Sequence, residues 1–288
     1  MTKEHFNNLQ CYLCESIDFQ RLPGKVRDNP RLYILKCNSC GLIFLSSFSH
    51  ITDEFYKLSG MHNNKEIDLE SWIKETERDD NRRYIFLQPL IQNKSLLDFG
   101  SGHGGFLQKA RIIAHYVHGI EPEISLHNHY AQNDIFVGGC IEEVKKKFDV
   151  ITMFHVLEHL RDPREILMRL KAKLKQRGQI ICEVPNADDA LLKLYDNQAF
   201  AKFTYWSCHL FYFTHSSLET LAAQADLKIN YINQIQRYPL SNHLYWLAKG
   251  LPGGHNLWNY LDSEDLQTAY EKQLSSIGCC DTLIASFS

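Results

Sequence analysis

Four glycines, Gly100, Gly102, Gly104 and Gly105, fall within six positions of the stretch LLDFGSGHGG, just after Asp98. Ordering glycine costs a chain more conformational freedom than ordering any other residue, so such a cluster marks backbone that turns tightly or lies against a ligand. Two ligand patterns fit. Gly100, Gly102 and Gly105 spell G-x-G-x-x-G, the loop that cradles a dinucleotide pyrophosphate, and Glu121 follows about 20 residues later, where an acid would hold a ribose. Gly100, Gly102 and Gly104 spell G-x-G-x-G, the loop associated with S-adenosylmethionine. Asp98 separates the two: a carboxylate there would repel a pyrophosphate, whereas it suits an ammonium and a sulfonium. Glu121 with Pro122 can accept ribose hydroxyls from either cofactor, so this acid does not discriminate.

A second constellation lies near the N-terminus. Cys11 and Cys14 form one C-x-x-C pair and Cys37 and Cys40 another, with 22 residues between the pairs. Each pair turns two thiolates toward one ion, and two pairs complete a tetrahedral site with no position left for water. Gly41 after Cys40, and the strand-like LYIL and LIFL flanking the second pair, fit a zinc ribbon with a structural Zn2+. The chain has nine cysteines, and the other five are scattered, which suits a reduced, cytoplasmic protein with one metal site rather than a disulfide framework.

These residues need elements to place them. From Ser95 onward short apolar runs alternate with amphipathic stretches. SLLDF, YVHGIE, DIFVG, FDVITMF and GQIICEVP read as strands; GFLQKARIIA, EISLHNHYAQN, CIEEVKKK and PREILMRLKAKLK read as helices. The alternation predicts a mainly parallel sheet covered on both faces, with ligands at the C-terminal ends of its strands. LKINYINQIQ and DTLIASFS supply a sixth and a seventh strand. The reading divides the chain into a zinc ribbon over 1–46, a helical linker or lid over 47–94, and a core over 95–288. Within the linker, Trp72, Ile73, Tyr84, Leu87 and Ile91 supply one buried helical face, and Pro89 bends or ends the helix.

In LLDFGSGHGGFL, GIEPE, FDVITMFHVLEHLRDP and LKQRGQIICEVPN, taken together over residues 95–186, the chain resembles class I S-adenosylmethionine-dependent methyltransferases. The resemblance implies an α/β, Rossmann-like seven-stranded sheet of order 3-2-1-4-5-7-6 with the last strand antiparallel. It also implies S-adenosylmethionine as methyl donor and S-adenosylhomocysteine as product. It assigns Asp98, Gly100, Gly102 and Gly104 to the cofactor's amino acid and ribose, and Glu121 and Pro122 to the ribose hydroxyls. Cys140 and Ile141 go to the adenine, and Phe154 and His155 to the floor beyond the fourth strand; Cys140 departs from the aspartate that many relatives carry there. With the cysteine pairs, the chain is similar to bacterial methyltransferases that act on sugars or other small metabolites in surface-polysaccharide pathways.

Methyl transfer to a hydroxyl needs alignment, exclusion of water and a base, and a histidine near neutral pKa is the natural one. The candidates are His155, His159, His209, His243 and His255. His155 is placed by a strand end; His209 and Tyr205 are expected to point into the site from the aromatic segment FAKFTYWSCHLFYF. That segment and the stretch RYPLSNHLYWLAKGLPGGHNLW fall in two substrate-side insertions, at about 196–215 and 238–276. His155-Val-Leu-Glu158-His159 also spells H-x-x-E-H, a zinc-protease pattern that requires a helix where FDVITMF delivers a strand.

The resulting expectation is a small-molecule methyltransferase acting on oxygen of a sugar or nucleotide-linked intermediate, with its oligomeric state open. A formal charge of −3 offers no broad attraction for a phosphate backbone, so no nucleic acid is expected. No N-P-P-Y motif follows the fourth strand, and Lys145, Lys146 and Lys147 read as a solvated helix end. No run long enough to cross a membrane and no apolar leader in MTKEHFNNLQ are found. The rivals are an RNA methyltransferase that grips its substrate with the ribbon, and a non-catalytic scaffold.

Overall fold

The computed structural model describes residues 9–52, 54–62 and 65–288. The leader reading of the first eight residues lies outside the described residues. By their contacts the described residues group into two compact units that interleave along the chain: those within 9–50, 184–223 and 232–284 in the first, and those within 51–183, 224–231 and 285–288 in the second. The sequence reading instead divides the chain consecutively, after 46 and after 94.

The first unit contains an antiparallel sheet of β1 (Phe19–Arg21), β2 (Ile34–Cys37), β3 (Ile43–Leu45) and β9 (Phe211–Tyr212), in that order. The pairing of β9 with β3 shows what most of the aromatic segment does. Tyr205, Phe211, Tyr212 and Phe213 are buried, and Phe211 meets the rings of Tyr12 and Phe48, each at 5.1 Å between centroids. The unit also carries α5 (Ala190–Lys193), α6 (Gln198–Thr204), α7 (His215–Gln224, to Ala223), α8 (Leu240–Lys249), α9 (Gly254–Leu257) and α10 (Glu264–Ser276). The long insertion is therefore helical: Gly250 ends α8 in a left-handed conformation and Ser263 caps α10 through the Leu266 N–H.

A seven-stranded sheet runs in the order β10 (Ile229–Ile235), β11 (Thr282–Phe287), β8 (Leu174–Pro185), β7 (Phe148–Phe154), β4 (Ser95–Phe99), β5 (Tyr116–Ile120), β6 (Phe136–Gly138). Neighbours from β8 to β6 are parallel. Reciprocal backbone hydrogen bonds of 2.8 Å between Lys228 and Ser288 set β11 antiparallel to β10. Counted in chain order within this sheet, the order is 6-7-5-4-1-2-3, the expected arrangement read from its other edge. Leu96, Leu97, Ile151, Met153, Ile180 and Ile181 are fully buried, as a sheet covered on both faces requires.

The second unit adds α1 (Leu69–Ile91), α2 (Gly105–Ala110), α3 (His127–Gln132) and α4 (Pro163–Ala172). Two expectations need correction here. CIEEVKKK forms only a single 3-10 turn, Ile141–Glu143, because Gly139 and the start of β7 at Phe148 leave too little chain for a helix and its two exits. The buried residues of α1 are Asp80, Arg83, Leu87 and Ile91, while Ile73 is 37% exposed. Pro89 sits inside the last turn, and the helix closes two residues later at Ile91.

Candidate cofactor site and metal centre

Strand β4 ends in Asp98 and Phe99, and the chain then enters a loop in which Gly100, Gly102 and Gly104 have φ of 75°, 55° and 82°. A Cβ on Gly100 would lie 2.4 Å from a methyl of Val156, so both conformation and packing demand glycine there. The loop is pinned from three elements. The Glu121 carboxylate, beyond β5, accepts the Gly102 N–H at 2.7 Å and the Glu123 N–H at 3.0 Å. The buried Tyr130 hydroxyl of α3 lies 2.7 Å from Ser101 Oγ and 2.9 Å from the Gly102 carbonyl. From α1, Trp72 covers Gly102, whose Cβ position is 3.2 Å from the indole. His103 Nδ1 accepts the Gly105 N–H, so its proton is on Nε2, which donates to Thr76 Oγ1 at 2.6 Å. Thr76 donates in turn to the Trp72 carbonyl at 3.1 Å.

Asp98 and Glu121 stand at the ends of adjacent strands, 3% and 8% exposed. Burial pushes each carboxyl up to about 7. Asp98 accepts from the Thr152 hydroxyl at 2.7 Å, and Glu121 from backbone N–H groups, all neutral donors. Burial of carboxylates with only neutral donors is unfavourable, and a cation or a row of hydroxyls would relieve it. This donor set fits the ammonium and ribose of the cofactor inferred from sequence. Ile141 is buried beyond β6; Cys140 is exposed with its sulfur 3.5 Å from Glu143, and Pro122 is half-buried.

Phe154 and His155 close β7, with His155 at φ 54° and its N–H on the Glu183 carbonyl at the end of β8. The imidazole bridges two acids: Nε2 is 3.1 Å from Glu183 and Nδ1 3.3 Å from Glu158. Glu183 is fully buried and binds Arg82 at 2.9 Å and Arg83 at 2.8 Å. Although burial acts against ionisation, Arg83, His155 and Arg82 hold the Glu183 carboxyl well below the usual range. The Arg83 guanidinium also lies 4.5 Å over the Phe154 ring. His159 is buried in a 3-10 turn, Leu157–His159, edge-on to Tyr56. The turn, not a helix, carries the H-x-x-E-H residues, in line with the rejection of that motif.

Sequence reasoning missed Thr76, Arg82, Arg83, His103, Tyr130 and Glu183. Arg83 and Glu183 are 100 positions apart, and nothing in either local pattern couples them. The spacing 80, 83, 87, 91 was the available signal that a charged pair shares the buried face of α1.

In the first unit, the four sulfurs of Cys11, Cys14, Cys37 and Cys40 all lie within 4.8 Å of one another, and all four cysteines are free of disulfides. A tetrahedral zinc–thiolate site has sulfur edges of about 3.8 Å, so the cluster fits the metal with little adjustment. Backbone turns made by Glu15 N–H to the Cys11 carbonyl and Gly41 N–H to the Cys37 carbonyl hold each pair. Tyr205 ends α6 and is buried; burial pushes its hydroxyl up to about 12. His209 packs against Trp206 and Tyr212, with ring centroids at 5.3 and 5.8 Å. His243 is buried against the Tyr270 hydroxyl at 2.6 Å, and His255 Nδ1 faces Asn242 Oδ1 at 3.2 Å.

A family model described as a methyltransferase domain matches residues 72–232. The ubiquinone biosynthesis O-methyltransferase of Coxiella burnetii is 28% identical over 116 residues, covering 36% of this chain and 49% of that protein. The chain thus spans about half the length of the curated relatives it matches. Among solved structures, a SAM-dependent methyltransferase from Archaeoglobus fulgidus aligns with a TM-score of 0.50 at 20% identity, over 74% of this chain and 94% of that one. A chain from the complex of the Haloferax volcanii Trm112 methyltransferase activator with a methyltransferase aligns with a TM-score of 0.53 at 14% identity, over 82% and 98%. At these identities the structural likeness speaks for the fold alone. No helix of the described residues is long and apolar enough to cross a membrane.

Proposed function

We propose that this chain, which belongs to the methyltransferase domain family, uses S-adenosylmethionine to methylate a hydroxyl oxygen of a small molecule. The observation that carries the cofactor side is the pair of buried carboxylates, Asp98 and Glu121, flanking a glycine loop with neutral hydrogen-bond donors. Asp98 would hold the cofactor's amino-acid end and Glu121 its ribose, with the loop, Pro122, Cys140, Ile141 and Phe154 forming the remaining walls. When bound, S-adenosylmethionine supplies a methyl carbon activated by positively charged sulfur.

For oxygen as the nucleophile, the support is the name of the Coxiella burnetii relative, an O-methyltransferase. For a sugar or nucleotide-linked acceptor, the support is the resemblance of the cysteine pairs to those of sugar-modifying methyltransferases. His155 is the proposed base: two carboxylates face the charge its ring would gain with the acceptor's proton. One ring nitrogen must exchange its carboxylate for the acceptor hydroxyl to do so. His159, His209 and Tyr205 are the other candidates for catalytic contact. The four clustered cysteines would hold a structural zinc that ties the ribbon turns together.

The test is transfer of labelled methyl from S-adenosylmethionine to hydroxylated small molecules, with the product analysed for a methyl ether. Label in an ether supports the reading. Label only on nitrogen or carbon, or only in added RNA, overturns it.

A further inference from the structure

The amphipathic pattern of α8 is inverted. Its buried residues are Ser241, Asn242, His243 and Trp246, and the polar ones among them find partners inside the first unit. The Ser241 N–H and hydroxyl donate to Asp262, His243 lies between the Tyr270 hydroxyl at 2.6 Å and Gln236 at 3.2 Å, and Asn242 Oδ1 faces His255. Leu244, Leu247 and Ala248, spaced i, i+3 and i+4 on one helix face, are exposed instead.

Neighbouring elements extend this stripe. Gly254 lets α9 press against α8, because a Cβ there would collide with that of Tyr245 and with the Ser241 carbonyl. The Tyr245 ring meets Trp258 edge-on at 4.9 Å, which fixes the 3-10 turn Asn259–Leu261 beside α8. Leu244, Leu247, Leu251, Leu257, Tyr260 and Leu261 are between 38% and 74% exposed. Taken at about 200 Å² for a fully exposed side chain of this size, they present roughly 600 Å² of surface. An apolar patch of that extent marks an interaction site.

Area and charge choose the occupant. Two copies burying this patch against each other would remove about 1,200 Å² in all, which reaches the size of a specific interface. The ends of the stripe are also self-complementary. Asp262, bonded to the Ser241 N–H at 3.1 Å, marks the N-terminal end of α8, and the exposed Glu264 and Asp265 follow it in the first turn of α10. The exposed Lys249 stands at the C-terminal end. Antiparallel pairing brings Lys249 of each copy to the acidic end of the other and aligns the helix dipoles favourably. A lipid surface suits the patch less. An interfacial helix turns a polar face rich in lysine and arginine toward the headgroups, whereas the polar face of α8 is buried and acids stand at its rim. We infer that two copies of this chain pair through α8, antiparallel across a two-fold axis, with the leucine stripe at the centre and Lys249 against the partner's Glu264 and Asp265.

The experiment is sedimentation velocity on the full zinc-loaded chain, from about 1 to about 100 µM, with circular dichroism and zinc content confirming that each variant is folded. A reversible dimer with a Kd on the order of 10 µM or tighter is expected. Leu247→Lys, at an exposed position, should raise that Kd at least about tenfold. Lys249→Glu and the double variant Glu264→Lys/Asp265→Lys should each weaken pairing roughly tenfold, since two contacts turn repulsive per dimer. An equal mixture of these two variants should regain the parental affinity, because a mixed two-fold dimer holds no like-charge contact. Monomer throughout the range overturns the inference; if that monomer sediments with phosphatidylcholine vesicles and Leu247→Lys does not, the patch belongs to a lipid surface. A dimer indifferent to Leu247→Lys overturns it as well, and a mixture no tighter than its parts overturns the antiparallel geometry.

Discussion

Asp98 illustrates how a single buried side chain can set a pH dependence. Its carboxyl titrates near 7 in the folded protein against 3.8 for an unburied aspartate. The folded state therefore binds the proton more tightly than the unfolded chain. The contribution to stability is greatest below about pH 4 and is lost as pH rises toward 7. A bound ammonium reverses the preference by favouring the carboxylate. Affinity for S-adenosylhomocysteine should accordingly rise as pH is raised from about 5 to about 8, and Asp98→Asn should flatten that dependence; calorimetric titration across this range checks both. For catalysis, His155→Ala and His209→Ala should each leave S-adenosylhomocysteine affinity nearly intact, and at least one should abolish turnover in the labelled-methyl assay. Unimpaired turnover in both would show that the base lies elsewhere. Asp98, Glu121 and the glycines were legible because their chemistry is local to a strand end and a loop. Arg82, Arg83 and Glu183 were not, since a buried ion cluster joins residues that no periodicity relates.

Among the elements, the glycine loop and α1 act as one assembly. The His103–Thr76–Trp72 chain of hydrogen bonds and the Trp72 face on Gly102 fasten the helix to the loop. Gly100→Ala should destabilise the protein more than Gly102→Ala. Both impose a left-handed conformation on alanine, at roughly 1–2 kcal/mol, but only Gly100 would also drive a Cβ to 2.4 Å from Val156, whereas at Gly102 the nearest atom is 3.2 Å away. Denaturant unfolding of the two variants tests the order. Glu183→Ala should cost more than either, roughly 3–5 kcal/mol, because it strands Arg83 in a buried position without its partner. Strands β4, β5, β7 and β8 were readable as apolar runs bounded by turn residues. The length of CIEEVKKK as a helix was misread, because propensity says nothing about how little chain separates β6 from β7.

For the whole molecule, the cysteine cluster makes a metal prediction. Purified protein should contain about one zinc per chain by elemental analysis, and Cys37→Ser should lose it. Removal by a chelator should open the ribbon to proteolysis within residues 9–46, since metal binding energy in such a site is folding energy. Bound metal that survives Cys37→Ser would remove these cysteines from the site. The amino-acid sequence by itself determined the alternating β/α pattern, the order of the strands through its resemblance, the glycine loop with its two acids, and the two cysteine pairs. Each of these is written in residues close together in the chain, where turn chemistry and periodicity act directly. Only the tertiary structure decided that Phe211 and Tyr212 of the aromatic segment pair with β3 instead of standing free, and that Arg82 and Arg83 converge on Glu183. Those outcomes depend on packing between segments distant in sequence, and burial, not local preference, selects among the partners each segment could have taken.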